Sequence, residues 1–304
     1  MSFIKKLVLP VAFLSCLSTQ SAFANWDLWL AQKQDVLIAN PATAPSGACF
    51  ERYDRIFGDG ELNVTLGFGY ADTKPGNYVI DKLIMDGIVR ALTAPCRRGV
   101  SACGFRGGPA GSFTLLKNVR GPRGNMQPVK IHFIRASVSH DDKKNMTEYK
   151  VAQTKKCQAA TDNFFSSIAR GPEVVFYAGH SRNGGGPDFC PGVATADNHV
   201  NYDYYRKYRP GKKKMIEALG QSAAVRNPVE VLGMISCSSS LHFKNAFSAA
   251  SPETGMLLTN ASLSFQEVYQ DLYVSLDSLL AQRCGKKFEA VLSGFTDLSG
   301  MFVP

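Results

Sequence analysis

The segment Val174-Val175-Phe176-Tyr177-Ala178-Gly179-His180-Ser181 decides how the rest of the chain is read. Its apolar run is short and continuous, rich in β-branched and aromatic residues, and bounded by Pro172 and Gly179. That pattern predicts a strand over residues 173–178 buried on both faces, since a half-exposed strand would alternate apolar with polar. A run of the same kind, residues 229–235, ends in Ser236-Cys237, and others cover residues 129–138 and 255–260. Between and after them lie helical patterns at about 146–170, 212–224, 241–250 and 265–282. In the last, Val268, Leu272, Leu276 and Leu279 recur at helical spacing. Strands alternating with helices predict an α/β fold, a mostly parallel sheet with helices on both faces.

Outward from this core the pattern changes. Residues 25–127 read as loop-rich, with one helical stretch at 78–92 and glycine-dense turns at 104–111 and 121–124. They are taken as an N-terminal subdomain or embellishment, and residues 128–304 as the α/β domain. Residues 1–24 have the form of a cleavable export signal: Lys5 and Lys6, a short apolar stretch from Leu7 to Leu17 broken by Pro10, then Ala22-Phe23-Ala24. Cleavage before Asn25 would remove Lys5 and Lys6 and with them two of the nine net positive charges. The apolar stretch falls short of the roughly 20 residues a spanning helix needs. An exported, periplasmic or extracellular protein without an integral membrane span is expected. Phe13-Leu14-Ser15-Cys16 loosely resembles a lipid-attachment site, but Phe13 stands where Leu is usual, and anchoring through Cys16 is not expected.

Composition is that of a globular protein, and the basic excess suits an anionic envelope or an acidic partner. Outside Cys16 there are seven cysteines, an odd number, so in an oxidising compartment at least one thiol stays free unless it pairs with another chain. Cys96 and Cys103 flank a tight basic loop and are plausible partners; spacing alone leaves the remaining connectivity open. No phosphate-binding glycine motif stands at a strand-to-helix junction, and no cofactor is expected.

In open parallel sheets ligands sit beyond the carboxyl ends of the strands, where the loops collect. Two successive strands deliver Gly179-His180-Ser181 and Ser236-Cys237-Ser238-Ser239-Ser240 to that edge, an imidazole and a thiol suited to act as acid/base and nucleophile. An apolar strand ending in His, an intervening helix, and a second apolar strand ending in Cys resembles the caspase-like cysteine peptidases, which include caspases, legumain, clostripain and gingipains. His180 and Cys237 are 57 positions apart, close to the roughly 50 of caspases. The serine run after Cys237 looks like the segment that follows the nucleophile in legumain. The resemblance covers about residues 128–282. It implies acyl transfer to Cys237 through a thioester, proton transfer by His180, an oxyanion hole from the backbone N–H groups of Ser181 and Cys237, and a peptide or protein substrate. It also implies that Cys237 is the free thiol, leaving six cysteines for three disulfides. The family usually has Gly after the histidine, so Ser181 puts the backbone angle and the room for substrate there in question.

Other readings stand beside this one. The same scaffold without catalysis would be a peptide- or envelope-binding module. Gly179-His180-Ser181-Arg182-Asn183 approaches a serine nucleophile elbow but ends in Asn183, and the later histidines it would need are His199 and His242. His180, Cys190 and His199 lack the spacing of a structural zinc site, so no metal is expected. Asp188 is a candidate for a specificity pocket that would receive Arg or Lys. The basic run from Tyr204 to Lys214 reads as a solvated loop and helix start, available to an anionic envelope polymer or to processing. Nucleic acid is not an expected partner.

Overall fold

The described residues of the computed structural model are 14–70, 80–109, 113–135, 148–197, 199–292 and 296–297, with backbone alone for 14–25, 148–153 and 296–297. The chain opens with α1 (Leu14–Ala39), α2 (Gly47–Ile56), β1 (Leu62–Phe68) and α3 (Ile80–Thr93). Three strands come next, β2 (Arg106–Gly107), β3 (Thr114–Arg120) and β4 (Met126–Arg135), then α4 (Glu148–Ala169) and β5 (Val174–Ala178). A 3-10 turn at Arg182–Gly184 leads to α5 (Tyr202–Tyr208) and α6 (Pro210–Ser222). The remaining elements are β6 (Val231–Ile235), α7 (Ser239–Ala250), β7 (Gly255–Thr259), α8 (Phe265–Leu280), α9 (Gly285–Glu289) and β8 (Thr296–Asp297).

The strands form one eight-stranded sheet in the order β2-β3-β4-β1-β5-β6-β7-β8. The five inner strands, β4-β1-β5-β6-β7, are parallel. β3 and β2 extend one side antiparallel, and β8 closes the other antiparallel to β7. The fold is therefore α/β, with a mostly parallel mixed sheet flanked by helices. Every residue of β5, β6 and β7 is buried, as their uninterrupted apolar runs require. β1 lies between β4 and β5, so the direction of travel across the sheet reverses there. In open α/β sheets such a reversal opens a crevice at the carboxyl edge.

β1 corrects the sequence reading. Residues 62–68 belong to the stretch expected to be a loop-rich N-terminal addition, yet they supply a central strand, and the sheet runs across the boundary expected at residue 127. The reason is compositional. Val64, Leu66 and Phe68 join the core on one face, whereas Asn63, Thr65 and Gly67 interrupt the apolar run. At Gly67 a Cβ would lie 2.5 Å from the Phe164 ring of α4, so the missing side chain is what lets that helix approach. A similar fit sets the neighbouring pair: Phe176 of β5 is in register with Gly233 of β6, and its ring occupies the place a Cβ on Gly233 would take, 2.1 Å away.

Two cores result. One gathers α1, α2, α3 and α8 on the face carrying Val174, Phe176, Val231 and Ile235. The other gathers α4, α6 and α7 on the face carrying Val175, Tyr177, Leu232 and Met234. α1 passes through the expected cleavage point before Asn25, and from Trp26 onward it packs on the first core. Residues 1–13, including Lys5 and Lys6, lie outside the described residues. No helix among the described residues is long and apolar enough to cross a membrane.

α8 is buried on almost every side and carries polar groups inward. Asp277 and Arg283 are both fully buried and form an ion pair of 2.6 Å. The other Asp277 oxygen accepts from the N–H groups of Ser101 and Ala102, at 2.6 and 2.8 Å. Arg283 also donates to the carbonyls of Leu37 and Asn40. Three disulfides, Cys49–Cys284, Cys96–Cys103 and Cys157–Cys190, fasten α2 to the segment after α8, close the expected basic loop, and tie α4 to the loop after β5. These disulfides, with no membrane-crossing helix among the described residues, are compatible with an exported protein.

Two measurements test this packing. Removing one partner of a buried pair strands the other charge, at a cost of roughly 3–5 kcal/mol. Asp277→Ala is expected to lose stability on that scale in urea titrations, and a loss under about 1 kcal/mol would contradict the pairing described. Glu173, buried just before β5, accepts from the Asn63 N–H at 2.7 Å. Burial pushes its carboxyl from 4.5 up to about 7. A raised folded-state value contributes stability that is present below 4.5 and lost as pH climbs through about 7. Glu173→Gln removes this titration, so its stability relative to the natural chain is expected to rise between pH 4.5 and 8.

Candidate active site

The register that pairs Ala178 with Ile235 sets the two strand ends side by side. His180 and Cys237 each stand two residues past that pair. They therefore leave neighbouring strand ends at the carboxyl edge, on strands spaced about 4.8 Å apart. The Gly179 N–H donates to the Ile235 carbonyl at 3.3 Å, carrying the pairing to the residue before His180. His180 is half-buried, and its ring meets Phe265, the first residue of α8, edge to face with centroids 6.0 Å apart. Cys237 is half-buried and is the one free cysteine among the residues whose side chains are described. Its sulfur accepts from the Leu263 N–H at 3.4 Å.

The turn that presents Cys237 is a strand-to-helix elbow. Ser238 adopts the left-handed conformation, φ 51° and ψ 36°, and α7 begins at the next residue. Such a backbone costs a serine roughly 1–2 kcal/mol, which the surroundings must hold. The Ser238 N–H donates to the Ala261 carbonyl at 2.8 Å. The Ser239 hydroxyl donates to the Met234 carbonyl at 2.6 Å and accepts from the Thr259 N–H at 2.8 Å. The Thr259 hydroxyl donates to the Ser236 carbonyl. Strands β6 and β7 thus grip the elbow through buried side chains, and Cys237 stands at the positive end of α7.

On the histidine side, Ser181 has right-handed backbone angles, φ −73° and ψ −15°. A serine adopts them without cost, so the glycine usual in the resembled family is not needed for the angle. The left-handed positions fall instead on Arg182 and Asn183. Ser181 is buried and enters a 3-10 turn, not a helix, so the serine-elbow geometry occurs at Cys237 and not at Ser181. Neither the Ser181 N–H nor the Cys237 N–H makes a hydrogen bond among the described residues.

Other residues singled out in the sequence lie elsewhere. Asp188 does not present its carboxylate as a pocket for a cationic side chain. One oxygen accepts from the Cys190 N–H at 2.9 Å, and the other accepts from the Tyr205 hydroxyl at 2.8 Å and faces the buried Arg182 guanidinium at 3.4 Å. A turn-forming Gly-Pro-Asp sequence carries no trace of such long-range partners. Cys190 is held in a disulfide and His199 is highly exposed, so they do not converge with His180. The basic run of 204–214 is helical on both sides of Arg209, a left-handed break between α5 and α6; the expected helix start is there, and the part before it, expected as a loop, is α5. Lys212 reaches back to the His242 carbonyl at 2.6 Å. The His242 ring lies beside Gly184, and burial, then the Lys212 charge, holds its imidazole below the ordinary value. Leu263, Phe265 and the Ser239–Thr259 pair border or support the site without any sequence signal beyond ordinary loop and helix composition.

Compared with family models, characterised proteins and solved structures, the chain matches none. The chemistry is therefore read from geometry: a free thiol on a braced elbow, an imidazole just past the end of the adjacent strand, and on the same two turns two N–H groups with no hydrogen bond among the described residues. Iodoacetamide applied to the oxidised protein lacking residues 1–24, with peptides mapped without reduction, is expected to label Cys237 and none of the other six cysteines. Recovery of Cys237 in a disulfide would contradict the site.

Proposed function

We propose that the protein is an exported cysteine peptidase of the caspase-like type, with Cys237 as nucleophile and His180 as acid/base. The single observation that carries this reading is the elbow: the one cysteine left outside the disulfides among the residues with described side chains sits at a strand-to-helix turn, and the strand it follows pairs with the strand that ends before His180. In the mechanism, the Cys237 thiol passes its proton to His180 and the sulfur attacks the scissile carbonyl carbon. The carbonyl oxygen gains charge and is received by the N–H groups of Ser181 and Cys237 and by the positive end of α7. The C–N bond then breaks as His180 delivers a proton to the departing amine, leaving a thioester. Water, giving its proton to His180, attacks the thioester and releases the acid, and the thiol re-forms.

Positioned acid/base groups contribute about 10²–10⁴ in rate. Against pooled fluorogenic peptides, His180→Ala is expected to lose activity on that scale, and Cys237→Ala to fall to background. A peptide acyloxymethyl ketone should alkylate Cys237 in the natural chain. No turnover of any pool, together with equal Cys237 labelling in the natural chain and His180→Ala, would reject the peptidase. The non-catalytic peptide- or envelope-binding reading would then take its place.

A further inference from the structure

Tyr177, the fourth residue of β5, spends its hydroxyl on the loop that carries the histidine. The hydroxyl's one hydrogen is shared between the His180 carbonyl at 3.2 Å and the Asp188 carbonyl at 3.0 Å, and its oxygen accepts from the Asp188 N–H at 3.0 Å. It thereby joins the two ends of the loop that runs from His180 to Asp188. The space for it is built by two strand ends. A Cβ on Gly69, after β1, would lie 2.1 Å from the Tyr177 oxygen, and one on Gly179 would lie 2.7 Å from it. Glycine at both positions lets the hydroxyl enter where the sheet reverses direction. Around it the loop is braced again: the Tyr70 N–H donates to the Asp188 carbonyl at 3.0 Å. The Arg182 guanidinium lies over the Tyr70 and Tyr205 rings. Inside the loop, the Ser181 carbonyl accepts from the N–H groups of Gly184 and Gly186, at 3.0 and 2.9 Å. Burial, with the Asp188 charge, keeps the Tyr177 phenol protonated far above neutral pH, so the donor is always present.

We propose that Tyr177 is a positioning residue: its hydroxyl, seated between Gly69 and Gly179, fixes the His180 carbonyl and so sets the direction of the Ser181 N–H toward the bond being attacked. The inference rests on the peptidase reading for its consequence and on the hydrogen bonds for its cause, and the two are tested separately. The comparison is between Tyr177→Phe and Tyr205→Phe. The second removes a hydroxyl that holds the same Asp188, at its carboxylate, and the Val193 N–H, and leaves in place the one on the His180 carbonyl. Each is assayed with iodoacetamide, which needs no oxyanion site, with the peptide acyloxymethyl ketone, whose carbonyl does, and by amide exchange of Gly184, Gly186 and Asp188.

Misplacement by a fraction of an ångström to 1 Å costs about 10- to 100-fold. Tyr177→Phe is therefore expected to slow the ketone by about tenfold or more while iodoacetamide reacts at the natural rate. Tyr205→Phe, at a similar Tm, is expected to slow the ketone by less than about threefold. Equal effects of the two variants, or a parallel fall with iodoacetamide, would reduce Tyr177 to a packing role. If the natural chain takes iodoacetamide but not the ketone, the peptidase reading fails, and exchange alone judges Tyr177. Faster exchange at the three amides in Tyr177→Phe then supports its hold on the loop, and unchanged exchange overturns it.

Discussion

The Phe176 ring lying over Gly233 is the contact on which the geometry of this molecule depends. Parallel strands of uniformly apolar residues have little in their pattern to prevent slippage, because every face of every residue is welcome in the core. A large ring opposite a residue with no side chain breaks that degeneracy: only one register places the ring over the gap. That register puts Ala178 beside Ile235, and His180 and Cys237 follow two residues later from the two adjoining strand ends. A slip of one residue would drive the ring into a side chain and separate imidazole and thiol by a further strand rise of about 3.3 Å.

Polar groups then do at the edges what shape does in the middle. The Ser239–Thr259 hydrogen bonds hold a left-handed serine at the elbow, the Tyr177 hydroxyl ties the histidine loop, and Asp277 with Arg283 gathers α1, α8 and the 101–102 loop into one buried node. Each of these groups is removed from water and repaid by several partners, the condition under which buried polar networks are tolerated. They lie beside elements the hydrophobic pattern already formed, and they specify angle and orientation.

That division explains how much of the fold and the site is legible in the sequence. The runs 174–178, 231–235 and 255–259 announce themselves because strands buried on both faces need no polar residue, and α8 shows its period through Val268, Leu272, Leu276 and Leu279. The Cys96–Cys103 pair is visible because the loop between them is short. β1 is not visible, since Gly67, whose missing side chain admits α4, and Thr65 look like loop residues in the sequence. Asp188 misleads for a related reason: its partners Tyr205, Arg182 and the Cys190 N–H come together only after the loop has folded back on itself. His180 and Cys237 can be singled out because a strand end is a position that periodicity locates, whereas Tyr177 looks like one more apolar residue in a strand.

The Cys49–Cys284 bridge gives the chain the topology of a ring with two tails. A break at any single peptide bond between those cysteines opens the ring but leaves one molecule. The basic run from Tyr204 to Lys214 lies inside it, between His180 and Cys237, so a nick there would place the imidazole and the thiol on separate pieces. Those pieces would remain linked by sulfur at one end of the fold and by the β5–β6 ladder at the other. A chain nicked at that point would travel as a single species under oxidising conditions and divide in two only on reduction.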